Sequence, residues 1–419
     1  MLVEVFALSL ALAVQSPSVA TKSPGLDATP VDALRAWVAA HGLDAIEAQP
    51  FASTPLTRAQ ADAARSILWS AHAERIRRER SAEIEARVIE VGGARMPIWF
   101  TTFGEKPADG RSLWISMHGG GGAPKQVNDQ QWENQKRLYK PAEGIYLAPR
   151  APSDEWNLWH QAPVDALFDR LIEDLVVLED VNPDRVYIMG YSAGGDGVYQ
   201  LAPRMADRLA AAAMMAGHPN DAKPDGLRNI GFALHVGALD GAYDRNKVAA
   251  GWKETLDGLE RDHPGAYRHQ AELHEGKAHW MDLEDAKAIP WMAAFTRDLR
   301  PRCVTWLQDD VTHDRFYWLA VDDPKAGALV EVERDGQTFR VTAARDVDAL
   351  RVRLDDAMCD LDKEIVVTRD GRELFRGQAS RTIATMAKTL AERGDPRGIY
   401  AAEIRVPIAD ARPTDGAAR

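Results

Sequence analysis

The sequence predicts an α/β fold, a mostly parallel sheet with helices on both faces, with a helical segment before it and a β-rich domain after it. Three observations predict this. Between about residues 86 and 300, short apolar runs alternate with amphipathic runs of helical length, the pattern of repeated strand–helix–strand units. Ahead of them lie Ala-, Arg- and Glu-rich stretches with no strand character. Beyond Pro301-Arg302 the pattern changes to short β-prone runs joined by Asp-Gly turns.

Taken in order, residues 1–20 read as a secretory signal. An apolar core covers 5–14 and small residues for cleavage stand at Ser18-Val19-Ala20, although Glu4 occupies a front that usually carries Lys or Arg. The expectation is a secreted or periplasmic protein. Residues 21–85 form the helical segment, with one helix over 31–41 and a longer one opened by Thr57 and running to about 83. A hairpin turning at Gly92-Gly93 opens the 86–300 domain. Strands follow at 113–117, 144–148, 186–189, 211–215, 231–236 and 267–274, and helices at 165–178, 193–208, 245–259 and 283–298. In 301–412 a strand covers 316–321. Hairpins turn at Asp335-Gly336 and Asp370-Gly371, strands cover 350–354 and 400–406, and a helix spans 381–393 between Ser380 as cap and Gly394. The aromatics Trp306, Phe316, Tyr317 and Trp318 read as core of that domain. Residues 413–419 read as a disordered tail.

The net charge is −12 with acidic residues spread along the chain, which argues against nucleic acid as a partner, because phosphate binding needs a concentrated basic footprint. The one basic cluster, Arg75-Ile76-Arg77-Arg78-Glu79-Arg80, reads as a solvated helix face. No apolar run is long enough to span a bilayer. Cys303 and Cys359 lack Cys-x-x-Cys spacing, and the sequence leaves open whether they pair or pack as small hydrophobes.

The chemistry centres on Gly190-Tyr191-Ser192-Ala193-Gly194, between a strand-like and a helix-like run. A tight strand–turn–helix with small flanking residues lifts a serine hydroxyl above a sheet edge. Such a serine needs a general base and a group to orient it, following it in the order acid then histidine. His279, in the loop after the strand 267–274, fits the base. Asp240, just past Gly237, fits the acid, and Asp244 remains the alternative. His118-Gly119-Gly120-Gly121-Gly122 follows the strand 113–117. Backbone N–H groups of Gly119 and Gly120, with that of Ala193, would form an oxyanion hole, since glycines let the backbone approach closely. Arg150, Trp156 and Trp159 lie in a loop on the site side, and His218 follows the strand 211–215; these are the candidate substrate-binding residues. Asp196 reads as favourable placement near a helix N-terminus. No metal is expected, because His274, Glu275 and His279 lack the spacing that puts two histidines on one helical face.

These motifs, together with Gly237-Ala238-Leu239-Asp240 and Gly276-Lys277-Ala278-His279-Trp280, make the chain resemble the α/β-hydrolase superfamily over about residues 86–300. It looks most like serine esterases of the dienelactone-hydrolase, feruloyl-esterase and polyhydroxybutyrate-depolymerase type, with an appended C-terminal β domain. The resemblance implies acylation of Ser192 by a small-molecule or polymer ester, hydrolysis through His279, and no cofactor. Two other functions stay open, a serine peptidase of the same fold and a binding protein with a degenerate site.

Overall fold

The structure is a computed structural model and describes residues 28–408. The signal-like stretch 1–20 and the tail 413–419 lie outside the described residues. Helices α1 (Pro30–His41) and α2 (Arg58–Ala86) both open on capping boxes, Thr29 with Asp32 and Thr57 with Gln60, in which each threonine hydroxyl and each third-residue side chain satisfy one another's N–H group. Strands β1 (Val88–Val91) and β2 (Ala94–Phe103) pair as the expected hairpin. Then come β3 (Arg111–Met117), α3 (Lys125–Gln135), β4 (Gly144–Pro149), α4 (Ala162–Leu178), β5 (Val181–Tyr191), α5 (Ala193–Arg204), β6 (Ala211–Met215), β7 (Gly231–Gly237), α6 (Arg245–Asp262), β8 (His269–His274) and α7 (Ala288–Met292).

The first eight strands form one sheet in the order β1-β2-β4-β3-β5-β6-β7-β8. β1 and β2 run antiparallel to their neighbours, and every pairing from β4 to β8 is parallel. Side chains alternate between faces as the pleat requires. Leu113, Ile115, Val186 and Ile188 enter a core shared with α4, α5 and α2, while Trp114, Tyr187 and Met189 face a second core closed by Ile289 and Met292 of α7. Because both faces are covered, β6 and β7 are buried at every position.

The rest of the chain adds β9 (Cys303–Leu307), β10 (Arg315–Phe316), β11 (Leu319–Ala320), β12 (Leu329–Asp335), β13 (Thr338–Arg345), β14 (Ala349–Leu354), β15 (Ile365–Arg369), β16 (Arg372–Gly377), α8 (Ile383–Arg393) and β17 (Ala402–Pro407). These strands make a five-stranded and a four-stranded sheet. Their apolar residues continue the first core, which runs from Leu34 through Leu171 to Val352. Trp306, Phe316, Tyr317 and Trp318 are all buried there. A buried ionic seam joins the two parts. Arg297 pairs with Asp184 and Asp395, Arg208 with Asp169, Arg393 with Asp207, and Arg204 with Asp165, which also meets His313. Burial opposes the Asp395 carboxylate, but Arg297, Arg208 and Arg393 outweigh it and hold the group well below the usual carboxylate range. Cys303 and Cys359 are free thiols, pushed up to about 11 and about 12 by burial, so both stay protonated. Among the described residues no helix is long and apolar enough to cross a membrane.

Several sequence expectations are corrected. The polar helix α3 was not anticipated, because its sequence Lys-Gln-Val-Asn-Asp-Gln-Gln-Trp-Glu-Asn-Gln carries no clear apolar stripe. The helix expected over 193–208 stops at Arg204, one residue after Pro203. The helix expected over 283–298 is a single 3-10 turn and the five-residue α7. The strand expected over 316–321 folds back as the β10–β11 hairpin, with Tyr317 at φ 53°. Tertiary bonds override local β propensity there: the Tyr317 N–H donates to Asp207 and the Trp318 indole N–H to the Pro301 carbonyl. The cap of α8 is Thr382, whose hydroxyl accepts the Thr385 N–H, and not Ser380.

Candidate active site

β5 runs into α5 through a turn so tight that Ser192 takes φ 58°, ψ −122°. A Cβ on Gly190 would lie 2.2 Å from the Gly194 carbonyl oxygen, and one on Gly194 would lie 2.2 Å from that of Met117, so no larger residue fits. The strained serine costs of order 1–3 kcal/mol, and the packing around it must supply that. The Ser192 N–H donates to the Met215 carbonyl of the neighbouring strand at 2.9 Å, which anchors the turn.

The structure brings Ser192, His279 and Asp240 into one hydrogen-bonded line. His279 Nε2 lies 3.0 Å from Ser192 Oγ, and His279 Nδ1 lies 2.7 Å from Asp240 Oδ2. An ionised carboxylate only accepts, so the proton sits on Nδ1 and leaves Nε2 free to accept from the serine hydroxyl. Asp240 is 2% exposed, and its other oxygen lies 3.9 Å from Arg245 Nη1. Asp244, the alternative acid, points into solvent and pairs with Lys247 at 2.7 Å. It stands directly before α6, but its side chain makes no cap hydrogen bond. The loop after β8 that carries His279 is held by Tyr191, whose hydroxyl donates to the His279 carbonyl and accepts the Met281 N–H.

The glycine loop is set by two buried polar side chains. His118 Nε2 accepts the Ala151 N–H at 3.1 Å, so Nδ1 carries the proton and donates to the Gly119 carbonyl at 2.6 Å. Burial lowers its pKa to about 4, which keeps the ring neutral. With that carbonyl turned to His118, the N–H of Gly120 in the same peptide points the opposite way. Asn128 Oδ1 accepts the Gly121 N–H at 2.8 Å, and its amide donates to the Ala123 carbonyl at 2.9 Å. Gly120 has φ 107°, and a Cβ there would meet Asn128 Oδ1 at 2.3 Å. A Cβ on Gly119 would lie 3.1 Å from Ser192 Cβ, so this backbone passes close to the serine. The N–H groups of Gly119, Gly120 and Ala193 have no partner among the described residues.

A cavity of about 430 Å³ opens over Ser192. Its wall is largely α3 and the turn after it, through Val127, Gln131, Asn134 and Leu138, with Tyr191 and Trp280 opposite. Among the described residues no Asp, Glu, Lys or Arg lines it. Hollows of about 680 and 620 Å³ elsewhere hold no Ser–His–Asp line. The large exposed apolar residues among the described ones are Val127, Trp156, Leu239, Tyr243, Trp280 and Leu283. All six lie in the segments that follow the carboxyl ends of β3, β4, β7 and β8.

Of the substrate-binding candidates, none lines this cavity. Arg150 is buried and spends its guanidinium on Asp129, Asp154 and the carbonyls of Ala151 and Ser153. Trp159 is fully buried beneath the loop, with its indole N–H on the His118 carbonyl. His218 accepts the Asn220 N–H and gives its own N–H to Asp196. Trp156 is exposed beside Gly121 and Gly122. Asp196 lies in the first turn of α5, as its helix-dipole reading expects, and burial raises it to about 6. Sequence reasoning missed the α3 wall, Asn128 and Tyr191. Tyr191 stood inside the quoted motif, but its partners lie in a loop about ninety positions further on.

His235, Glu272 and His274 offer ligand atoms within 4.8 Å of one another, brought together by the β7–β8 register. Yet His274 turns Nε2 to His235 Nδ1 at 3.0 Å and Nδ1 to Glu284 at 3.2 Å, opposite edges of one ring. Glu272 is engaged by Lys287 at 2.8 Å. Glu272 Oε1 also lies 3.7 Å from His274 Nδ1.

A scan of protein-family models and a search of curated proteins each gave no match. Among solved structures, a thermostable esterase is similar over 50% of this chain at 16% identity with a TM-score of 0.40, and this chain spans 62% of its length. The BES protein from Bacillus cereus is similar over 50% of this chain and 93% of its own at 12% identity, TM-score 0.35. Est1E from Butyrivibrio proteoclasticus is similar over 49% and 95% at 13% identity, TM-score 0.32. The strand order, the antiparallel β2 and the serine elbow after β5 define the α/β-hydrolase fold on their own terms, here with a further β-rich region in the C-terminal half.

Proposed function

We propose that the chain is a serine hydrolase that cleaves carboxylic esters of uncharged acids. The observation that carries this reading is the Ser192–His279–Asp240 line beside three backbone N–H groups, of Gly119, Gly120 and Ala193, that have no partner among the described residues. Ser192 Oγ attacks the ester carbonyl while His279 Nε2 takes its proton, and Asp240 stabilises the imidazolium. The oxyanion is received by the N–H of Ala193 and by N–H groups of Gly119 and Gly120. His279 returns the proton to the departing alcohol, which leaves an acyl group on Ser192. Water, deprotonated by His279, then attacks the acyl carbonyl, and the acid leaves as Ser192 regains its proton. A cavity lined by apolar and amide side chains suits an uncharged acyl group, because a carboxylate there would lack a cationic partner. Residues 86–300 would be the catalytic unit, with export by the 1–20 signal.

The test is turnover of p-nitrophenyl acetate, a succinate half-ester and a peptide p-nitroanilide by wild type and Ser192→Ala. The expected result is acetate turnover that Ser192→Ala lowers by roughly 10⁴–10⁶-fold, with the anionic ester a poor substrate. Unchanged turnover by Ser192→Ala, or a preference for the anilide, overturns it.

A further inference from the structure

Nucleophile and base lie 87 residues apart in sequence, on different segments, yet their reacting atoms must stay 3.0 Å apart. The Tyr191 side chain also bridges those segments. Tyr191 is the last residue of β5, directly before Ser192. Its hydroxyl donates to the His279 carbonyl at 2.6 Å and accepts the Met281 N–H at 3.0 Å. These two groups flank Trp280, so the phenol closes the turn that immediately follows the base. The ring packs edge-on to His279, with centroids 6.0 Å apart at 75°, and against Trp280 at 5.6 Å.

The loop's other side-chain ties do less. Lys277 pairs with Asp282 and Glu284, both of them solvent-exposed carboxylates, and such pairs are weak and screened. His274 meets Glu284 further down the loop. Apart from the Ser192–His279 bond itself, Tyr191 makes the side-chain tie between residues 279–281 and β5 among the described residues. The Met281 side chain is fully buried, so its N–H has no ready replacement partner in water.

We infer that Tyr191 is a positioning residue whose hydroxyl locks the base loop onto the nucleophile strand and so sets the His279–Ser192 geometry. The inference rests on the serine-hydrolase reading above. Losing the hydroxyl leaves the His279 carbonyl and the Met281 N–H unpartnered, and the turn shifts to satisfy them. A displacement of about 1 Å between reacting groups costs on the order of 10²-fold.

Tyr191→Phe keeps the ring on the cavity wall and removes only the hydroxyl. The expected result is a fall in kcat on p-nitrophenyl acetate of about 10- to 100-fold, with KM changed less than about twofold. Phosphonylation of Ser192 by a fluorophosphonate probe slows in parallel. The pH midpoint of kcat/KM stays in place, because no charged group is lost. A lowered thermal midpoint with unchanged kcat well below it overturns the inference, since the hydroxyl would then be structural only. So does a rise in KM alone, which means substrate contact, or a displaced pH midpoint, which means proton transfer by the phenol. If Tyr191→Phe does not fold, hydrogen exchange in the wild type decides: a protected Met281 N–H supports the lock and exchange at the solvent rate overturns it. Wild type that neither turns over esters nor reacts with the probe defeats the serine-hydrolase reading and this inference with it. An active wild type with an equally active Tyr191→Phe defeats the inference alone.

Discussion

Asn replacement at Asp240 and at Asp244 separates two residues that the sequence could not. At Asp240, Oδ1 faces Arg245 Nη1 at 3.9 Å and Oδ2 faces His279 Nδ1 at 2.7 Å. An asparagine keeps its oxygen toward the arginine and presents its NH2 to the histidine. Nδ1 must then accept, so the ring proton moves to Nε2, and Nε2 no longer accepts from Ser192. A wrong tautomer of this kind drops kcat by about 10⁴ in the well-studied serine proteases. At about 1.4 kcal/mol per decade, that is roughly 5.5 kcal/mol of lost transition-state stabilisation. Asp244 touches only Lys247, in solvent, so Asp244→Asn leaves kcat/KM within about twofold. The assay is kcat/KM on p-nitrophenyl acetate, with circular dichroism to show that both variants are folded. If Asp240→Asn keeps a tenth of wild-type activity, or if Asp244→Asn is the variant that collapses, the tautomer argument is wrong.

Two further outcomes follow from buried charge. Arg297→Met removes the nearest cation from the fully buried Asp395 and from Asp184, and urea unfolding at pH 7 should show a loss of about 3–5 kcal/mol; a loss under about 1 kcal/mol refutes the seam's role. Because Asp395 is held low in the folded protein, that contribution is full above about pH 4 and is lost as pH falls further. Asp196 has the opposite sign. Burial raises it to about 6, so its contribution is full below about pH 4 and is lost as pH rises to 6, by up to about 3 kcal/mol. Asp196→Asn keeps an acceptor for the His218 N–H and should therefore gain on wild type between pH 4 and pH 7; a difference that stays flat with pH refutes it.

What the sequence by itself determined is what depends on near neighbours. Strand and helix periods, the Thr57 cap, the Asp-Gly hairpins and the need for small residues around Ser192 are all set within a few residues, and the chain order of Ser192, Asp240 and His279 follows from one strand–loop rule applied three times. Tertiary structure decided the rest. The loop after β7 buries Asp240 against His279 and leaves Asp244 in water beside Lys247. Arg150 became a brace because its own loop and Asp129 took its donors, and Trp159 because its N–H reaches the His118 carbonyl 41 positions away. The polar helix α3 walls the cavity without an apolar stripe to announce it. The Tyr191 clasp exists only once the loop after β8 is laid beside β5. A hydrogen bond acts over about 3 Å of space regardless of sequence separation. Local pattern therefore shows which groups are available, and packing alone selects the pairs that meet.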